Sequence, residues 1–174
     1  SDIVAASLLG GLVVVGRSNK TRKIIVQKLN WPSEWKTLVV VPNYVLSTKR
    51  ARAILPRTIA REDAIHNVQK VSLLLSAVMN KDEEAMQEAL IDRLHEPYRL
   101  QLCPELGDVR KLLSDLQVLG NTLSGAGSSN MVTDTQRHKA NVLEALKDWA
   151  ALQGQPCAVL DLPVAAKGLR VSYE

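Results

Sequence analysis

The run Thr37-Leu-Val-Val-Val41 constrains this chain more than any other segment. β-Branched residues favour the extended backbone, and a run without polar alternation has no face to give to water. Such a strand is covered on both sides, so the chain has to supply covering layers. The strongest helical pattern lies further along. From Ala60 or Arg61 to Met79, Ala64, Ile65, Val68, Val71, Leu74, Leu75, Val78 and Met79 recur at helical spacing, which predicts one long amphipathic helix. Phe is absent and aromatics make up 3% of the 174 residues, so the core between sheet and helix is aliphatic. This length allows one domain, or one domain and part of a second.

The other elements follow from local signals. Asp2 to Leu9 reads as a short helix with Asp2 at its start, ended by Gly10-Gly11. Leu12–Val15 and Lys23–Leu29 read as strands joined by the polar connection from Arg17 to Arg22, and Trp31 to Trp35 as a turn. Ser47 caps a helix that Pro56 stops after about Leu55. Helices are predicted over Asp82–Leu90 and Glu105–Leu116, and from Thr135 to Leu152. Asn121–Leu123, Cys157–Leu160 and Leu169–Ser172 are predicted strands. His95 to Arg99 reads as an irregular bend, because Pro97 disfavours helix at Glu96. The mixed order predicts an α+β fold, an antiparallel sheet with helices packed on one face.

Composition excludes several classes. Hydrophobic residues at 46% and charged residues at 23% exclude general disorder. No apolar stretch reaches the roughly 18–20 residues of a membrane-spanning helix. Cys103 and Cys157 make no disulfide framework, and they and the three histidines lack metal-ligand spacing, so no metal site is expected. The formal charge of +4 is uneven: residues 17–61 hold eleven basic side chains and the single acid Glu34. That stretch suits an anionic ligand, or equally a solvated basic surface. Scarce aromatics argue against base stacking on nucleic acid.

Three stretches carry candidate chemistry. Ser124-Gly-Ala-Gly-Ser-Ser129 can turn its amides into an anion nest, or be a plain tight turn. It is neither a P-loop nor a dinucleotide fingerprint, since no Gly-Lys-[Ser/Thr] follows and the glycine spacing differs. In Ser47-Thr-Lys-Arg-Ala-Arg52, Thr48 and Arg52 lie four apart on one helix face. A hydroxyl beside a guanidinium can grip a carboxylate; the bland alternative is an exposed basic helix. Asp92-Arg-Leu-His-Glu-Pro-Tyr-Arg99 is a functional loop or a charged surface connection.

Taken in order, Asp2 through Gly11-Leu12, Ser47 through Pro56, Arg61-Glu-Asp-Ala-Ile-His-Asn67, Asp92 through Arg99, and Leu123 through Ser129 resemble the C-terminal half of the homoserine kinases. These belong with the galactokinases, mevalonate kinases and phosphomevalonate kinases. The resemblance implies a ferredoxin-like C-terminal α+β domain over residues 30–174, with residues 1–29 the end of an N-terminal kinase domain or a connecting helix and hairpin. It implies transfer of the ATP γ-phosphoryl group to the side-chain hydroxyl of L-homoserine, or of a similar small amino-acid alcohol, in threonine biosynthesis in the cytoplasm. Thr48, Arg52 and Arg99 then bind substrate, and Asp2 is the catalytic acid at the substrate end. Ser124, Gly125, Ala126, Gly127 and Ser128 form the glycine loop near the transferred phosphate.

ATP and Mg²⁺ are the implied cofactors. The family's Gly-Leu-Gly-Ser-Ser-type phosphate loop and its Mg²⁺-holding Glu would precede Ser1, so the chain alone is expected to be inactive. Nucleic acid and membranes are not expected partners; a homodimer is compatible. Ile3 stands where the family commonly has Asn, which leaves open a non-catalytic binding or interaction module of the same fold. After the glycine loop the family enters an apolar strand, whereas Asn130 to Thr135 is polar and short and predicts a weak strand.

Overall fold

The structure is a computed structural model that describes residues 2–154 and 156–172, with side chains from Val4 onward. It divides into two compact units, residues 1–33 with 163–174, and residues 34–162.

In the smaller unit, helix α1 (Asp2–Leu9) runs into strand β1 (Leu12–Arg17), which pairs antiparallel with β2 (Ile24–Leu29) from Leu12↔Leu29 to Arg17↔Ile24. The junction needs Gly10. Its φ is +69°, and a Cβ there would stand 2.6–2.7 Å from backbone atoms of residues 165–168. The Gly11 N–H donates to the Ala165 carbonyl (2.7 Å), and Lys28 Nζ donates to the carbonyls of Leu9 and Ala166, both at 2.7 Å. Leu169–Ser172 is therefore not the strand its sequence suggests. The tail is held by isolated bonds to a helix end and a glycine turn, such as Leu169 N–H to Leu8 carbonyl at 3.3 Å, not by a ladder.

In the larger unit, β3 (Trp35–Pro42) lies inside a four-stranded antiparallel sheet of order β4-β5-β3-β6, with β4 Gly120–Leu123, β5 Asn130–Thr135 and β6 Cys157–Asp161. Leu38 faces Val132 on one side and Asp161 on the other. Helices α6 (Glu105–Leu113) and α7 (Lys139–Ala151) cover one face. Val109, Leu113, Val142 and Leu146 from them close on Leu38, Val40 and Val132 in one aliphatic core. On the other side of β3, Trp35 and Thr37 are also buried, as the apolar run requires. The α+β layering expected from the sequence is the one that forms.

Four helices join β3 to α6: α2 (Thr48–Ala53), α3 (Arg61–Asn80), α4 (Glu83–Ala89) and α5 (Glu96–Arg99). α3 has the expected length, but its periodicity does not all become core. Ala77 and Val78 are buried, whereas Ile65, Val68, Val71 and Met79 are exposed. The sequence also misplaces the end of the sheet. Thr133, Asp134 and Thr135 look like helix caps, yet they finish β5, and α7 begins only at Lys139. β5 is not weak: it pairs with β3 from Asn130 to Thr135 and with β4 from Asn130 to Thr133. Ladder bonds are made by the main chain, so polar side chains do not forbid them, and Val132 alone supplies the apolar anchor. Burial comes at a cost at Asp134, whose fully buried carboxyl is pushed up from its ordinary range although its Oδ1 accepts the Thr135 N–H at 2.7 Å.

Candidate functional site

The site is built outward from Asp92. Its carboxylate accepts the backbone N–H groups of Leu94 (3.1 Å), His95 (2.7 Å) and Glu96 (2.6 Å), and the Asn67 side-chain amide donates to it at 2.7 Å. Asn67 Oδ1 in turn accepts the Arg93 N–H at 3.0 Å, so α3 clamps the loop that follows Ile91. These bonds nucleate α5, where the sequence predicts a bend. Pro97 sits in the first turn of the helix, where a missing N–H costs nothing.

Burial alone would raise the Asp92 carboxyl, but the Glu96 N–H, the Asn67 amide and the His95 and Leu94 N–H groups outweigh it and hold it at about 2. A carboxyl held below its ordinary 3.8 stabilises the fold above that value and loses this contribution as pH falls through about 2. Urea denaturation between pH 5 and 2 is expected to show wild type losing stability that Asp92→Asn does not lose. The difference is at most about 2 kcal/mol, and less where water screens the carboxylate. Parallel pH profiles would contradict the assignment.

The glycine turn closes between β4 and β5. The Ser124 N–H donates to the Ser129 carbonyl (2.8 Å) and the Gly127 N–H to the Ser124 carbonyl (3.2 Å). Gly125 and Gly127 adopt φ of +62° and +94°. At Gly127 a Cβ would stand 2.8 Å from Cys103 Sγ, so the turn lies directly on that thiol. The Ser128 hydroxyl donates to the Tyr44 carbonyl at 2.9 Å. Beneath it Leu46, Ala51 and Cys103 form a small apolar floor with Leu102, Leu123 and Ala126 packed around it. Burial pushes the Cys103 thiol up, which keeps it a packing group.

α2 stands on the same floor. Ser47 caps it by accepting the Arg50 N–H at 3.1 Å, Ala51 is fully buried, and Thr48 and Arg52 are exposed. Arg99 joins the two structures. Its Nε donates to the Ala51 carbonyl (3.3 Å) and its Nη1 to the Gly125 carbonyl (3.2 Å). One guanidinium thus ties the backbone beside Arg52 to the glycine turn and keeps further N–H donors for a ligand. Arg99 thus joins α2 to the turn of Ser124 to Ser128 within the larger unit, and Thr48 and Arg52 are exposed residues of that same α2. Asp2 opens α1 in the smaller unit, and its side chain lies outside what the structure describes.

Of three further participants, Arg110 and Tyr44 lie outside every motif and Glu96 lies within Asp92–Arg99. Glu96 is 5% exposed; its Oε1 accepts the Leu123 N–H at 2.7 Å, and its Oε2 pairs with Arg110. Arg110 also donates to the Asn121 carbonyl at 3.1 Å. The Tyr44 hydroxyl lies 2.7 Å from Glu105 Oε2 and lines a groove of about 570 Å³. Burial and that carboxylate push it far above its ordinary range, so it remains a donor. Glu96 has one sequence cue, its place three residues before Arg99; Arg110 and Tyr44 have none. Among the described residues no group of three His, Cys, Asp or Glu side chains could hold a metal ion, and no helix is long and apolar enough to cross a membrane.

Residues 74–152 match a family model described as GHMP kinases C terminal. The chain carries a GHMP kinase C-terminal domain. The homoserine kinase of Moorella thermoacetica is 34% identical to it over 161 residues, 92% of this chain and 53% of that protein. That of Desulfitobacterium hafniense is 30% identical over 170 residues, 98% of this chain and 57% of that protein. The crystal structure of homoserine kinase from Cytophaga hutchinsonii superposes with a TM-score of 0.85 at 30% identity, covering 95% of this chain and 52% of that one. The GHMP kinase homologue described here therefore spans about half the length of the relatives it matches.

Proposed function

We propose that this chain is the substrate-binding half of a homoserine kinase, a cytoplasmic enzyme of threonine biosynthesis that transfers the γ-phosphoryl group of ATP to the side-chain hydroxyl of L-homoserine. The observation that supports the reading is the Arg99 bridge between Ala51 and Gly125, which ties α2 to the glycine turn. The relatives at 30–39% identity support the substrate. Residues 1–29 are assigned, in this reading, to the end of an N-terminal kinase domain or to a connecting helix and hairpin, and residues 30–174 to the substrate domain.

Phosphoryl transfer leaves little covalent chemistry to the protein, so its contribution is positioning and charge stabilisation. The Arg52 guanidinium and the free N–H groups of Arg99 hold the amino acid's carboxylate in a two-pronged contact, with the Thr48 hydroxyl beside them. That fixes the far end of the substrate. Its hydroxyl then reaches toward the turn of Ser124, Gly125, Ala126, Gly127 and Ser128, where the Ser124 and Gly127 amides close the turn and those of the other residues face the incoming negative charge. The hydroxyl oxygen forms a bond to phosphorus, the bond to the ADP oxygen breaks and leaves its electron pair on ADP, and the hydroxyl proton passes to solvent water. Asp2 is assigned to the substrate end by the family resemblance alone. The ATP phosphate loop and the Mg²⁺ ligands are assigned to polypeptide outside this chain.

Steady-state kinetics of the kinase that contains this chain test the reading. Arg52→Ala is expected to raise KM for homoserine about 30-fold or more while KM for ATP stays within about twofold, because a carboxylate loses its charged partner. Equal effects on both substrates would exclude the clamp. The isolated 174-residue chain with ATP, Mg²⁺ and homoserine is the control, expected to give no turnover.

A further inference from the structure

β4 is an edge strand, with β5 on one side only. An edge leaves alternate N–H and C=O groups without a strand partner. Here two of them are taken by one ion pair: the Leu123 N–H donates to Glu96 Oε1 at 2.7 Å, and the Asn121 carbonyl accepts from Arg110 Nη2 at 3.1 Å. Glu96 and Arg110, bonded to each other, occupy the positions a further strand would fill. Glu96 is 5% exposed, so water does not compete for these bonds. Its own N–H is held by Asp92 at 2.6 Å, which ties the carboxylate back to α3 through Asn67.

The consequence lies one residue further along. Ser124 follows Leu123, and Gly125 is gripped at its carbonyl by Arg99, three residues after Glu96 on α5. A single helical turn thus holds the chain on both sides of Ser124, by an acceptor before it and a donor after it. We propose that Glu96 is a positioning residue for the glycine turn, acting with Arg110 as a surrogate edge strand that fixes where the turn presents its amides to the anion. The role in turnover rests on the homoserine kinase reading; the role in ordering the turn does not.

Amide hydrogen exchange on the 174-residue chain tests the ordering without any ligand. Glu96→Ala is expected to speed exchange at Leu123 and Gly127 by tenfold or more, while Leu38 and Val40 of β3 stay within about twofold. Glu96→Gln keeps an oxygen for the Leu123 N–H and should restore most of that protection. If Leu38 and Val40 also exchange freely in Glu96→Ala, the comparison is made on Arg110→Met, which removes the other half of the ion pair and is expected to speed exchange at Leu123 and Gly127. Protection unchanged at Leu123 and Gly127 in folded Glu96→Ala, or in Arg110→Met where Glu96→Ala does not fold, overturns the proposal.

In the kinase containing this chain, Glu96→Ala should lower kcat about 100-fold with KM for ATP unchanged, and Glu96→Gln should recover to within tenfold of wild type. A folded Glu96→Ala with normal kcat also overturns it. A wild-type kinase that leaves homoserine unphosphorylated defeats the functional reading and leaves the exchange result standing.

Discussion

Replacing Arg99 by alanine in the kinase that contains this chain is expected to cut kcat/KM for homoserine by about 10²–10³-fold. Arg99 is half-buried here, and removing one partner of a charge pair that bound substrate would bury costs about 2–5 kcal/mol, each 1.4 kcal/mol being about tenfold in rate. Arg99 has two duties in this fold. It donates to Ala51 and Gly125 carbonyls, and in the proposed site it also meets the substrate carboxylate. Its loss should therefore lower kcat as well as raise KM, unlike the loss of Arg52, which touches no part of the turn. Arg99→Lys should recover little, because an ammonium group cannot span two carbonyls and a carboxylate with the planar fork of a guanidinium. Steady-state rates for the three variants separate these effects. Near-normal activity of Arg99→Lys would mean that only its charge matters.

Gly127→Ala is expected to destabilise the fold by about 2–4 kcal/mol. A left-handed backbone costs a non-glycine residue about 1–3 kcal/mol, and overpacking a filled site adds about 1–3 kcal/mol. Both apply here, since φ is +94° and the new Cβ would stand 2.8 Å from Cys103 Sγ. The two causes separate in a double-mutant cycle. Cys103→Ala removes the sulfur, so the double variant should recover the steric share of the loss but not the backbone share. Urea denaturation of the four proteins measures it. A coupling energy near zero would show that sulfur and turn do not press on each other.

How much of this was legible beforehand varies by residue. The Thr37–Val41 run gave the central strand because its chemistry leaves no other placement. The α3 periodicity gave a helix of the right length, yet not its burial: Val68 and Met79 remain exposed because burial depends on which elements arrive opposite. Pro97 was misread as a helix breaker, since its effect depends on whether it falls in the first turn, and that was fixed by Asp92 capping from upstream. Thr133 to Thr135 look like caps by composition and are ladder residues by pairing. The pieces of the candidate site, Thr48 with Arg52 and the two glycines, could be read from spacing and from the resemblance. Glu96 and Arg110 could not, because a carboxylate and a guanidinium fourteen residues apart become partners only when α5 and α6 are packed.

The sequence by itself determined which segments are strand and helix wherever the pattern was local and strong, and it placed hydroxyl, guanidinium and glycine in the right order along the chain. Tertiary structure alone decided that Arg99 reaches both Ala51 and Gly125, and that an ion pair completes the edge of β4. The physical reason is range. Backbone preference and amphipathic spacing act over a few residues, whereas the donors and acceptors of this site come from segments as much as 84 residues apart and find one another only after the aliphatic core has set their distances.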